Sequence, residues 1–343
     1  MNPRGARTRK ALLVAGSIPL AALLSVASVI AVGTARAQEE AAPAAFLRTR
    51  DPRSGVCLHW TTRQYLYHYH SAGSSQTPGN AEFVAMEAAF DSWRKVAEAC
   101  SDFTFEAGAM VGTALVGYDK ERADNTNVIT FRERSCAQVV PEDDPCWDPP
   151  AGTPSCDNKY QCWDNGERVI ALTTSTFSKV TGVIFDSDIE FNAAPDDTGA
   201  RFLFTTISQP PCDPERQSAL CAATDIQNTL THELGHVIGL DHVEVQGSTM
   251  EPTAPIGETA KRIIDEGTAA GFCLAYPKKR PSPPCEEVDE KIIAVNRGTP
   301  GLVAIGCSAV PGRADAGTWL GLVAIFSALA GVRFRGRDGR SVD

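Results

Sequence analysis

The run His232-Glu233-Leu234-Gly235-His236-Val237-Ile238-Gly239-Leu240-Asp241-His242 constrains this chain more than any other stretch, because its histidines can meet only if a helix and a sharp turn follow one another at fixed places. At about 100° of rotation per residue, His232 and His236 fall within roughly 40° of each other on one helical face, so both rings can reach a single ion. Gly239 has no Cβ and adopts positive φ readily, which suits it to ending a helix and turning the chain. That turn would bring His242 back toward the same ion. Glu233 stands beside the first histidine, where its carboxylate can face the coordination position that a catalytic zinc leaves open. The spacing predicts His232, His236 and His242 as metal ligands and Glu233 as the catalytic general base.

The segment resembles the long zinc signature of the metzincin metallopeptidases, H-E-x-x-H-x-x-G-x-x-H, and within that clan it is most similar to the matrixins. Metzincins also carry a methionine in a tight turn beneath the metal, and Ser248-Thr249-Met250-Glu251-Pro252 follows the third histidine closely, so Met250 carries over as that residue. Pro252 stands where astacin-like and serralysin-like members place a tyrosine, which favours the matrixin branch. The resemblance implies an α+β fold: a metzincin-like twisted mixed sheet, mostly parallel, with two main helices and a zinc active-site cleft beside an edge strand. It implies zinc-dependent endopeptidase activity, with protein or peptide substrates bound extended along that edge by β-augmentation. Gly239, Met250 and Pro252 are the expected structural supports of the site. An alternative on the same fold is a catalytically inert zinc-binding surface or structural protein, against which Glu233 argues because it is no zinc ligand.

Residues 185–191 alternate, with Phe185, Ile189 and Phe191 on one face and Asp186, Asp188 and Glu190 on the other. This stretch resembles the matrixin strand bordering the cleft. Its acids are candidate calcium ligands, since hard cations prefer clustered carboxylates; the alternative is a solvated acidic edge that resists aggregation. Animal matrixins place a structural-zinc histidine just before this Phe-Asp, where Ile184 stands here, so a second zinc is not expected. His68 and His70 would share a face of a first strand over residues 56–70 and read as exposed positions. Further strands are expected at 127–131 and 169–174. Between them, residues 134–165 read as a long loop stapled by disulfides. Phe83, Met86, Phe90, Trp93 and Ala97 recur at helical spacing behind Asn80 as N-cap. Thr224 with Gln227 reads as a capping box opening the histidine helix.

The ends of the chain suggest export. Arg4, Arg7, Arg9 and Lys10 precede an apolar run and Ala35-Arg36-Ala37, so residues 1–37 read as a signal peptide cut after Ala37, with an uncleaved anchor as the alternative. Residues 38–53 lack a pattern and are too short for a prodomain; with Cys57 in no matching motif, no cysteine-switch latency is expected. The catalytic domain is assigned to 54–276, and a Pro-rich polar linker to 277–305. In 306–343, Gly306-Cys307-Ser308, an apolar stretch at 319–332 and a basic end are similar to the myxobacterial C-terminal sorting signal. That resemblance implies processing near Cys307 and delivery to the surface or medium by secretion and sorting machinery; a retained membrane anchor is the alternative. Ten of the eleven cysteines lie in the folded part and can pair completely, as an oxidising compartment permits. Cys212 with Cys221 and Cys273 with Cys285 are the local pairs expected. The net charge of -10 argues against nucleic acid as a partner, and a monomer is expected.

Overall fold

The computed structural model describes residues 46–122, 125–147, 156–208 and 210–285, together with the backbone of 304–305 and 308–309. The unit Met1–Ala41, and with it Ala37, lies outside the described residues, as do Cys307 and the apolar stretch 319–332. Among the described residues no helix is long and apolar enough to cross a membrane.

In chain order the elements begin with β1 (Leu47–Arg48), β2 (Gln64–Tyr69), α1 (Ala81–Cys100), β3 (Thr104–Ala107) and β4 (Asn127–Arg132). The short helices α2 (Cys136–Val139) and α3 (Cys156–Tyr160) follow, then β5 (Ala171–Phe177), β6 (Ile184–Asn192) and β7 (Phe204–Thr205). Last come β8 (Thr224–Asp225), α4 (Ile226–Val237), β9 (Leu240–Asp241), β10 (Thr253–Ala254), α5 (Glu266–Ala275), β11 (Ala304–Ile305) and β12 (Ser308–Ala309). Five strands in the order β5-β6-β4-β2-β3 form a twisted mixed sheet, parallel throughout except for β5, which runs antiparallel to β6, and the two-residue β11 adds to the outer side of β5 as a sixth strand. This is the α+β metzincin-type architecture the sequence implied.

Period-two patterning builds the layer between sheet and helix. Tyr65, Tyr67 and Tyr69 alternate along β2 and are all buried, as one face of a strand must be when a helix covers it. Phe90 of α1 stacks on Tyr67 with ring centroids 3.6 Å apart, and Phe83 meets Tyr69. Met86, Phe90, Trp93 and Ala97 are buried at the predicted helical spacing. Asn80 does precede α1, but it sits in the left-handed region at φ 61° and its side chain makes no capping bond. Trp93 Nε1 donates to the Thr231 carbonyl at 2.9 Å, locking α1 to α4 across the core.

Three expectations are corrected. The strand at residues 185–191 is part of β6, which is interior rather than an edge; the edge on that side of the five-stranded sheet is β5. Asp186, Asp188 and Glu190 are buried, while Phe185 is 38% exposed, because residues 111–118 cover the face that alternation assigned to water. A strand covered on both faces no longer maps polarity onto solvent. The third correction concerns the disulfides: all ten cysteines of the folded part pair, and Cys212–Cys221 forms, but Cys273 joins Cys100 and Cys285 joins Cys57. The reason is packing, since Phe272 of α5 docks among Trp93 and Phe103 and so sets the end of α5 beside the end of α1. Residues from the segment read as patternless also enter the fold, because β1 pairs antiparallel with β9. A two-residue strand has no period to read.

Candidate metal centre

Helix α4 starts one residue later than the capping box suggested. Thr224 is paired with Phe204 in β8, and Asp225 is the N-cap, accepting from the Asn228 amide at 2.7 Å while Arg262 Nε donates to the same carboxylate at 2.8 Å. The helix is buried all round, with His232 and Glu233 fully enclosed and His236 nearly so. It ends at Val237, and Gly239 follows at φ 83°, where a Cβ would lie 2.4 Å from the Leu58 carbonyl oxygen. Both positive φ and close backbone approach therefore require glycine there. Thr49 holds the turn from outside: its amide donates to the Gly239 carbonyl at 2.8 Å and its hydroxyl to the Leu240 carbonyl at 2.9 Å.

The result is a triangle of ring nitrogens. The Nε2 atoms of His232, His236 and His242 stand 3.1 Å from one another on all three sides. Tetrahedral zinc with Zn–N bonds of about 2.0–2.1 Å spaces its nitrogens by about 3.3 Å, so the donor set fits that ion. The far sides of two rings are fixed by carbonyls: His232 Nδ1 donates to Thr249 at 2.7 Å and His236 Nδ1 to Leu240 at 2.9 Å. Those bonds put the proton on Nδ1 and leave Nε2 a free lone pair, the arrangement a metal-binding imidazole needs. Burial holds His232 and His236 well below the ordinary histidine range, with repulsion from the neighbouring rings adding to it. Burial, helped by Lys261, lowers His242 to about 4. Neutral imidazoles are thus the favoured form.

Glu233 lies against β5. Thr173 Oγ1 donates to its carboxylate at 2.7 Å, which aims the side chain from the sheet edge. Beneath the triangle, Met250 is buried against α4, where a Cβ on Gly235 would come 2.2 Å from its sulfur. The methionine turn is tied down by Asp265, the N-cap of α5. Its carboxylate accepts from the Thr249 amide at 2.7 Å, the Thr268 hydroxyl at 2.6 Å and the Ser248 hydroxyl at 3.1 Å. Although burial pulls the Asp265 carboxyl upward, these hydrogen bonds, that of Thr268 foremost, bring it below the usual range. A chain of contacts thus runs from Asp265 through Thr249 to His232. Pro252 leads from this turn into β10.

Among the described residues, no other group of three metal-ligating side chains converges. Asp188 accepts from the amides of Gly117 at 2.6 Å and Val128 at 2.7 Å. Glu190 pairs with Arg132 at 2.5 Å, both side chains 1% exposed. Burial raises Asp186 to about 6 and Asp188 further, the latter also through its neighbour's charge. Asp186 and Asp188 share a hydrogen bond, while Glu190 is held apart from them by Arg132. His68 Nδ1 is 2.8 Å from the Ala109 carbonyl and His70 Nδ1 is 3.1 Å from the Thr130 hydroxyl, apart from the triad. Sequence reasoning missed Thr173, Thr249, Asp265 and Gly235. Only Gly235 carried a local signal, a glycine inside a helix that costs about 1 kcal/mol relative to alanine and so asks for a packing reason.

A mixed sheet, a buried helix with three convergent imidazoles and a methionine turn define the architecture of a metallopeptidase. The matrixin family model matches residues 155–271, from just before α3 into α5, and includes the edge strand, the histidine helix and the methionine turn. Over that stretch the chain is similar to the matrixins, which supports a matrixin-like metallopeptidase of the hydrolase class. No curated protein matches the chain.

Proposed function

We propose that this protein is a zinc-dependent endopeptidase that hydrolyses peptide bonds of extracellular proteins, with His232, His236 and His242 as the zinc ligands and Glu233 as the general base. The observation that carries the reading is the equal-sided triangle of Nε2 atoms with an enclosed carboxylate one residue from its first member. Zinc bound there supplies a double positive charge that acidifies water and polarises a peptide carbonyl. Glu233 takes the proton of the attacking water and returns it to the leaving amine. Thr173 keeps that carboxylate pointed, and the carbonyls of Thr249 and Leu240 hold the tautomers that present lone pairs inward. Substrate lies extended along β5, the strand that carries Thr173 beside Glu233, so backbone groups grip the chain and side chains select it. A cavity of about 320 Å³ opens at the first turn of α4, lined by Asp225, Asn228 and Thr229 with Ile170, Asn192 and Ala254; none of the three histidines, Glu233 or Thr173 lines it.

Five disulfides support an oxidising compartment, in line with export by the N-terminal signal and surface sorting by the C-terminal one. The test is casein digestion by the purified chain. Cleavage should stop with a zinc chelator and return with added zinc; a protein that binds one zinc and cleaves nothing across a broad peptide library overturns the reading in favour of an inert scaffold.

A further inference from the structure

The two walls of the cleft are each paired with the chain's own C-terminal region. On one side β11 runs antiparallel to the edge strand β5, with Ile305 opposite Thr173 and Ala304 opposite Thr174. Thr173 is the residue whose hydroxyl holds Glu233. On the other side β12 runs parallel to β10, with Ser308 opposite Thr253 and Ala309 opposite Ala254. β10 begins three residues after Met250, and Ala254 bounds the cavity beside α4. Ile305 and Ser308 are three Cα steps apart, a span of at most about 11 Å, so the two pairings lie within that distance of each other. At the site itself His232, Glu233 and Thr173 are at most 2% exposed, while His242 is half-buried.

We propose that the strands 304–305 and 308–309 are a tethered occupant of the protein's own cleft, competing in cis with external polypeptide. The proposal rests on the peptidase reading for its consequence but not for its geometry. An edge strand presents unpaired amides and carbonyls that any extended segment can satisfy. The Cys57–Cys285 disulfide fixes the chain 19 residues before Ala304, and a span of that length reaches at most roughly 65 Å, so the segment reaches the cleft of the same molecule. A short tether gives an effective concentration of about 1 mM. A segment whose own dissociation constant is a tenth of that concentration slows cleavage of outside substrates by about tenfold.

The test uses the full chain and the double variant Ala304→Pro/Ile305→Pro, which removes both backbone donors of β11 without touching the catalytic residues. In a Glu233→Gln background, where the tail stays uncut, hydrogen exchange of the peptide covering 171–177 should be at least about fivefold slower in the parent than in the proline variant. Equal exchange overturns the occupancy whatever the enzyme does. With Glu233 intact, and in molecules whose mass shows 304–309 uncut, the proline variant should cleave casein about tenfold faster; equal rates overturn the proposal as well. A self-cut between Ile305 and Ser308 that Glu233→Gln abolishes supports occupancy. If neither form cleaves casein, the peptidase reading fails, and the exchange result still decides whether the segment fills the cleft.

Discussion

His232, His236 and His242 turn three ring nitrogens toward one point, whereas Asp186 and Asp188 share a hydrogen bond and Glu190 pairs with Arg132. Both sets looked like metal ligands by residue type and spacing. The difference lies in how each is anchored. Two of the three imidazoles are held from behind by a carbonyl, which leaves the front nitrogen free, while Asp188 is approached by two backbone amides and Glu190 by a guanidinium. A cluster binds a metal when its supports occupy the side away from the ion.

Three substitutions press on that contrast. Glu233→Gln should lower kcat by about 10²- to 10⁴-fold, the range general-base catalysis supplies, while metal analysis still finds one zinc per chain. Loss of zinc together with activity would break the separation between ligand and base. Glu190→Ala leaves Arg132 buried without its carboxylate and should cost about 3–5 kcal/mol in denaturant unfolding, equally with and without calcium. A loss that appears only in calcium would make Glu190 a ligand after all.

The smallest effect concerns Asp186. Burial raises its carboxyl to about 6 from 3.8, so the folded state keeps a proton that the unfolded chain releases. The stability this proton confers is complete below about pH 4 and is lost as pH rises through about 6. Asp186→Asn, which stays neutral, should therefore be more stable than the parent by roughly 1–3 kcal/mol at pH 7.5 and indistinguishable from it at pH 4, as read from urea midpoints. Calcium that stabilises the parent and not the variant would reverse the comparison and turn this pair into a cation site.

The metal centre was the most legible part of the chain because its geometry is local. Helical spacing set His232 over His236, and a glycine at the one place where a side chain would strike the Leu58 carbonyl delivered His242. The helix α1 was legible for the same reason, its buried residues repeating at three and four. The supports were not: Thr173 reaches Glu233 across 60 residues and Asp265 reaches Thr249 across 16, from elements whose docking no short window encodes. The capping of α4 slipped by one residue because Thr224 was drawn into pairing with β7.

By itself the sequence determined the imidazole triad, its neighbouring carboxylate, the methionine turn and the class of fold, since each is written in spacings shorter than about a dozen residues. Only the tertiary structure decided the order of the strands, which acids are buried, how the cysteines pair and where residues 304–305 and 308–309 lie. Periodicity states which side chains share a face. What covers that face depends on contacts between distant segments, and there the packing of α5 on α1, or of a tail on β5, outweighs closeness along the chain.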